Sequence, residues 1–478
     1  MESLNIITQT NAIVLIVLIC SIFTVIGLLY SKNFLDLNNY LVANRTIKTV
    51  SLTASFVSSS LGAWILFGPA SAATWGGIGA VIGYCLGTAF PMILLIFLGS
   101  KVREEFSNGK TLIEVVRGKF GNQLFKLVLT LSIFYMTIFL IAEVTALSLL
   151  IKYLSGTHLW ITASIVIFSS LLYTLYGGLR ASILTDKFQF ILFFLLLLIS
   201  FTYLMSINSS EFNFQFIKQN SPELLNLTNP INFTAGFTFF IAVAATNLFH
   251  QGNWQRVYAA KSNNILKLSL ILSFIIIIPI VFLMGFSGLL SISKNPEIFP
   301  DLAFFLLILK QQNIYISIVI VFLAISLTIS SIDTLMNAIS SLIIVDGKKI
   351  IRSSFNFVYL SKIMIIIISS IALVIASKGL SVLYLFLLAD LFCCAAAITV
   401  FYNFYKKIIN QKTALFSIMM GLISGLLFFP NTNFSASLLV GGILPNHYFP
   451  LIITNNLLFF SFFTATFLPV LFWRINFK

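Results

Sequence analysis

Apolar runs of about twenty residues, separated by short polar stretches, recur along the whole chain. A bilayer is spanned by about 20 consecutive apolar residues of α-helix. By that measure the pattern predicts thirteen helices, near residues 9–30, 48–70, 76–99, 122–153, 158–176, 184–206, 234–251, 265–290, 313–345, 356–377, 380–403, 412–430 and 450–473. The longest polar stretches, 100–121, 207–233 and 291–312, are too short for a soluble domain. The chain 1–478 therefore reads as a single all-α, polytopic transmembrane domain whose function lies inside the membrane.

Composition and charge sharpen this. Hydrophobic residues make up 59% of the chain and charged ones only 9%, against about 25% charged in soluble domains. The net charge of +14 would suit nucleic acid, but its distribution argues for a membrane instead. With the first helix entering from outside, the loops facing the cytoplasm collect Lys32, the basic residues between 101 and 126, Lys348, Lys349, Arg352, Lys406, Lys407, Lys412 and Lys478. Of the 28 Lys and Arg, only Lys152, Lys218, Lys294, Lys310 and Lys378 fall on the other face. The positive-inside rule then sets the N-terminus outside and the C-terminus in the cytoplasm of a cell membrane. The first apolar segment has no basic region before it and no small-residue cleavage site after it, so it reads as a retained helix. Cys20, Cys85, Cys393 and Cys394 fall inside apolar helices and read as packing residues. No metal motif and no nucleophile with a partner base is visible, so neither a resident cofactor nor an enzyme is expected.

Set against each other, the second to sixth and the seventh to eleventh helices begin on opposite faces. That is the parity of an inverted repeat: residues 48–206 and 234–403 as two five-helix units, 9–30 as an extra N-terminal helix and 412–473 as two extra C-terminal ones. The first helix of each unit is interrupted, by Ser58, Ser59, Ser60, Gly62, Gly68 and Pro69 in one and by His250, Gln251, Gly252 and Asn253 in the other. Interrupted helices at corresponding places expose backbone carbonyls and amides to a solute. Small residues that merely pack helices together are the competing reading.

The ninth run crowds Ser326, Thr328, Ser330, Ser331, Asp333 and Thr334 into nine positions. An Asp at the centre of a membrane helix costs about 2.5–3.5 kcal/mol. Spacings of three and four residues put Ser330, Asp333 and Thr334 on one side of a helix, an oxygen-lined face suited to a small hard cation. Glu143 and Asp390 are further acids inside apolar runs, and neither is expected to face lipid.

Four segments carry a resemblance. YGGLRASILTDKFQ (176–189), read as a cytoplasmic loop opening the next helix with Thr185 or Asp186 as its cap, is similar to the signature of the sodium/solute symporter family. SFVSSSLGAWILFGPASAATWGG (55–77) resembles its first core helix, with Trp64 and Gly68 at the spacing of the proline carriers. QRVYAAK (255–261) and SSIDTLMNAISSLIIVD (330–346) resemble its seventh-helix element and its sodium helix with a closing Asp. The resemblance implies a leucine-transporter-like five-plus-five fold and a sodium site made of carbonyls at Ser58, Leu61 and Leu327 and hydroxyls at Ser330 and Ser331. Asp333 matches an acidic position of some members, where it would serve a second cation, a substrate amine or a buried hydrogen bond. Substrate contacts are expected from Ser60, Gly62, Trp64, Asn247, His250 and Gln251. Ala244 and Leu248 stand where proline carriers have aromatic residues, and Ile65 where sugar carriers have Gln, so neither solute is favoured. Asn247 matches an Asn of the sugar carriers, and HQGNWQR (250–256) is similar to an element of the urea carriers. The expected function is sodium-coupled uptake of a small polar, nitrogenous solute by a protein acting as a monomer in the lipid bilayer. Proton coupling through Asp333, or a transporter-like sensor, are the alternatives.

Overall fold

A computed structural model describes residues 3–31, 37–351, 356–405, 409–440 and 450–474. Lys32, Arg352, Lys406, Lys407 and Lys478, assigned above to the cytoplasmic face, lie outside the described residues. The chain folds as helices: α1 (Gln9–Ser31), α2 (Thr49–Ser60), α3 (Gly68–Glu105), α4 (Asn122–Ser155), α5 (Leu159–Ile207), α6 (Pro230–Phe249), α7 (Gln251–Ala259), α8 (Asn263–Lys294), α9 (Ile314–Leu342), α10 (Phe357–Ala376), α11 (Val382–Tyr405), α12 (Gln411–Phe428) and α13 (Leu457–Leu471). Several starts follow from the sequence directly. The side chains of Asn229, Ser262, Asn313, Asn356 and Asn410 accept the first free amides of α6, α8, α9, α10 and α12, as N-caps do.

Eleven helices among the described residues are long and apolar enough to cross a membrane. The expected thirteen separate spans are not reproduced as such. The stretch at 48–70 stops at Ser60 and resumes at Gly68, and Leu159–Leu175 is a shorter apolar segment that runs on without a loop. At 49 residues, α5 would be about 74 Å long as one rod, so it turns instead, at Gly178 (φ +58°, ψ −163°). Gly77 makes the same turn inside α3 (φ +55°, ψ −154°). Only glycine occupies this backbone region without strain. The segment expected as a cytoplasmic loop at 176–183 is therefore a one-residue corner between two helices.

Close backbone approach organises the packing. Gly79, Gly83 and Gly87 of α3 face the backbone of Asn232, Gly236 and Phe239 in α6, where a Cβ would collide with carbonyl oxygens. Small residues at such a seam let two membrane helices meet backbone to backbone. α9 and α11 are the most enclosed spans, at 72% and 83% buried, whereas α10 and the second arm of α5 are 28% buried. Outward-pointing Phe168, Ile191, Leu198 and Val374 give the periphery the apolar surface a bilayer requires.

Candidate solute and cation site

The first break forms because the hydrogen-bond ladder of α2 has nothing to continue it. Its last rung is Leu61 N–H on the Val57 carbonyl at 3.0 Å. The next rung is replaced by a side chain, since Ala63 N–H donates to Glu143 Oε2 at 2.8 Å and Trp64 N–H also bonds that carboxylate. Glu143 thus caps the short turn Ala63–Leu66 that leads into α3, and the carbonyls of the last turn of α2 are left open to other partners. Gly62 lies directly against Ser331: a Cβ there would come within 2.6 Å of Ser331 Oγ and would also strike Glu143 Oε1, an oxygen with no hydrogen-bond partner.

The second break is at His250, in extended conformation between α6 and α7 (φ −62°, ψ 106°). His250 Nδ1 accepts Gly252 N–H at 3.1 Å and so acts as the cap of α7. Asn253 Nδ2 and Trp254 Nε1 turn back to the freed carbonyls of Asn247 and Leu248 at 2.9 and 2.7 Å. Residues 250–256 therefore carry their own repair of the break they cause. The stub of chain before α2 pairs with the end of α7 through Ile47 N–H to Ala259 O and Lys261 N–H to Ile47 O.

Beside the first break lies a buried ionic network. Arg256 of α7 and Asp186 of α5 form an ion pair at 2.8 Å with both side chains fully enclosed. Asp186 also accepts from Ser55 Oγ at 2.5 Å and Ser330 Oγ at 2.8 Å, and its carbonyl accepts from Ser58 Oγ at 3.1 Å. Arg256 donates further to Ser55, to the Gly252 carbonyl and to Thr334. Asp333 accepts from Tyr173 at 3.1 Å and Ser182 at 3.0 Å. The guanidinium pairs with Asp186 alone and reaches Asp333 only through Thr334, so two neighbouring acids face one cation, which leaves room for a proton or a cation in the balance of charge.

Two cavities bracket the first break. A small one of about 30 Å³ is lined by Ser59, Ser60, Trp64, Tyr84, Phe139, Val243, Thr246, Asn247, His250, Phe386 and Asp390, room for a water or two. A larger one, about 690 Å³, is a vestibule rather than the site, walled by Ser71, Trp75, Thr238, Asp301, Ser381 and Phe459 among others. Between them the rings of Trp64, Tyr84, Phe239 and Trp75 pack in series, the first three stacked and Trp75 tilted on Phe239, with centroids 5.8, 4.5 and 5.6 Å apart. Asp301 in the vestibule wall links two helices: it accepts from Ser71 of α3 at 3.0 Å and bonds Ser381 and the Val382 amide at the start of α11. Burial pushes its carboxyl above the usual range, and these hydrogen bonds oppose the shift.

Of the residues read from sequence, Ser58, Leu61, Ser330 and Ser331 meet at the first break, with Leu327 one turn earlier on the same helix. Ser60, Trp64, Asn247 and His250 line the small cavity. Gly62 sits at the seam with Ser331 rather than in the cavity wall. Gln251 turns away from it, accepting Leu112 N–H and donating to Lys110 O and Ser341. Asp333 also lies outside the cavity wall, among hydroxyls. The closing acid, Asp346, accepts from Thr111 and Lys349. Thr185 and Asp186 do not cap a helix; both are buried mid-helix, Thr185 bonding back to Ala181 O and Asp186 holding Arg256. Asp186 and Arg256 are the centre of the network, yet nothing but membership of a similar string singled them out. The mutual signal was available: a buried Arg and a buried Asp in apolar surroundings need each other.

Known proteins agree with this architecture. The chain is 25% identical over 382 residues to the "Spermidine transporter DUR31" of Candida albicans, covering 78% of this chain and 71% of that one. It is 26% identical over 160 residues to the "Urea active transporter" of Saccharomyces cerevisiae, 33% of this chain and 21% of the relative. Among solved structures it is similar to a substrate-bound, outward-open Na+-coupled sialic acid symporter (TM-score 0.71, 16% identity, 96% of this chain and 97% of that one). It is also similar to Mhp1, a nucleobase-cation-symport-1 family transporter, in a closed conformation (TM-score 0.56, 14% identity, 92% and 95%). These likenesses establish a leucine-transporter-like fold. Because the model of the Sodium:solute symporter family matches residues 40–421, on either side of both broken helices, the chain belongs to that family of membrane transporters.

Proposed function

We propose that this symporter couples inward sodium movement to uptake of a small polar, nitrogenous solute by alternating access, with residues 48–206 and 234–403 as its two repeats. The observation that carries the reading is the contact between the open end of α2 and the hydroxyls of α9, where Gly62 abuts Ser331 and Ser58 and Ser330 both bond Asp186. Carbonyls of Ser58, Leu61 and Leu327 with hydroxyls of Ser330 and Ser331 would replace the hydration shell of a sodium ion. Ser330 donates its proton to Asp186 and keeps a lone pair for the ion. The solute is assigned to the cavity of Ser60, Trp64, Asn247 and His250, and the nitrogenous class is supported by relatives described as spermidine and urea transporters.

The driving force suffices. One charge moving down 100 mV releases about 2.3 kcal/mol and a tenfold ion gradient adds about 1.4 kcal/mol, which together support a solute ratio of roughly 500-fold. A second reading, proton coupling through the Asp186–Asp333 pair, is favoured by the shortage of positive charge around two acids. The test is uptake of labelled spermidine, urea, amino acids and sugars into proteoliposomes with sodium outside, then with choline in its place at fixed pH. Sodium-dependent uptake supports the reading; uptake that ignores sodium and follows a pH gradient moves the coupling role to the acid pair.

A further inference from the structure

Asp390 is no part of the ion network, and nothing above gives it a task. It lies on α11, 5% exposed, and is one of the residues that line the small cavity. One oxygen accepts from Thr246 Oγ1 at 2.6 Å. No Lys, Arg or His forms an ion pair with it among the described residues. A buried carboxylate without a cation is costly, and it either takes up a proton or meets a positive charge. The same cavity holds a second unfinished group, the hydroxyl of Ser60, which is buried with no hydrogen-bond partner.

Four of the other lining residues are aromatic, beside Ser59, Val243, Asn247 and His250. Trp64 and Tyr84 stack on each other, and Phe139 and Phe386 meet edge to face at 4.6 Å. An enclosed space with one carboxylate, one idle hydroxyl and several π faces matches the needs of an organic ammonium: Coulombic attraction, acceptors for its N–H groups, and ring faces that attract a cation. A neutral amide or urea offers nothing to balance Asp390. The approach has the same character, since Tyr84 stands within Coulombic reach of both Asp390 and the vestibule's Asp301.

We propose that the solute is a protonated primary amine, its ammonium group held between Asp390 and Ser60 within the box formed by Trp64, Tyr84, Phe139 and Phe386. This rests on the assignment of the small cavity as the solute site. The size of the cavity, about 30 Å³, admits the ammonium head and its first carbon, and the rest of the molecule enters only if the packed rings of Trp64, Tyr84, Phe239 and Trp75 move apart.

The experiment is competition for whatever sodium-dependent uptake the wild-type protein shows in proteoliposomes. Propylamine and putrescine should inhibit, and propanol and 1,4-butanediol, of the same shape without the charge, should not. Asp390→Asn should raise the apparent KM for the amine on the order of 100-fold, as removal of one partner of a buried charge pair does, while Asp390→Glu restores part of it. Sodium-dependent uptake that amines and alcohols inhibit alike, or that Asp390→Asn leaves within about threefold, would overturn the amine assignment while leaving the symporter reading intact. Absence of sodium-dependent uptake of any solute would overturn that reading and, with it, the site on which the amine assignment depends.

Discussion

Consider removing Arg256 by Arg256→Met, which keeps the apolar stem and deletes the charge. In the native protein Nη2 lies 2.8 Å from Asp186 Oδ2 with both side chains fully buried. At an effective dielectric of about 20, that separation corresponds to a gross attraction of about 6 kcal/mol, most of it offset by the cost of burying two charges. The variant forfeits the attraction while Asp186 stays buried, so the net loss is about 3–5 kcal/mol. Ser55 and Thr334 also lose a donor. For 478 residues the unfolding entropy is about 1 kcal/mol/K if the whole chain unfolds together, so the midpoint should fall by about 3–5 °C. Scanning fluorimetry of the purified protein in detergent measures this. The double variant Arg256→Met/Asp186→Asn removes both charges; its amide oxygen keeps one of the two hydroxyl donors, Ser55 or Ser330, and its NH2 donates to the oxygen of the other, so it should recover at least half of the loss. A midpoint within 1 °C of wild type for the single variant, or a double variant as unstable as the two single losses added, would refute the reasoning.

Three further outcomes follow from the geometry. Glu143→Ala removes the cap of Ala63 and Trp64 and should destabilise the protein by about 1–2 kcal/mol, whereas Glu143→Gln, which keeps one acceptor, should cost less than half as much; chemical denaturation with a helical signal distinguishes them. Gly178→Ala forces a side chain into φ +58°, where it would also strike Tyr40, and should lower the thermal midpoint more than alanine at the helical Gly347, whose surroundings leave room for it. Asp301 gives the vestibule a pH dependence. Its carboxyl is raised by burial in this structure, so this conformation binds the proton more tightly than one with Asp301 in water. The Asp301 link is then fully favoured below the ordinary carboxylate range and loses support as pH rises through the raised value. A cysteine at Thr238, which lines the vestibule, should be labelled faster as pH rises through that window, after allowance for the thiolate fraction, and Asp301→Asn should abolish the difference; the four native cysteines are buried and give a low background.

The sequence spoke most clearly where physics is local. Apolar run length located most of the spans because a bilayer has one thickness, while the asparagine caps of α6, α9, α10 and α12 went unread. The two interruptions were visible as Ser58–Ser59–Ser60–Gly62 and His250–Gln251–Gly252, and the structure breaks helices at both. Partnership was not visible. Gln251 sits in a break yet faces the 110–112 turn, because a one-residue difference in helical phase decides which way a side chain points. Thr185 and Asp186 looked like a cap because Gly177 and Gly178 looked like a loop; a single glycine in the ε region turns the chain without one, and so leaves Asp186 mid-helix, opposite an Arg 70 residues away. Asp390 was legible as an acid in an apolar run, but the aromatic box around it is assembled from four distant segments.

The central claim is that sodium binds where α2 opens against α9. Scintillation proximity binding of 22Na+ to the purified protein tests it without knowledge of the solute. The account predicts saturable binding, displaced by unlabelled sodium and not by choline, and weakened at least tenfold by Ser330→Ala and by Ser331→Ala while both variants keep the wild-type thermal midpoint within a few degrees. Saturable binding that both substitutions leave unchanged, or no saturable binding at all, would contradict it.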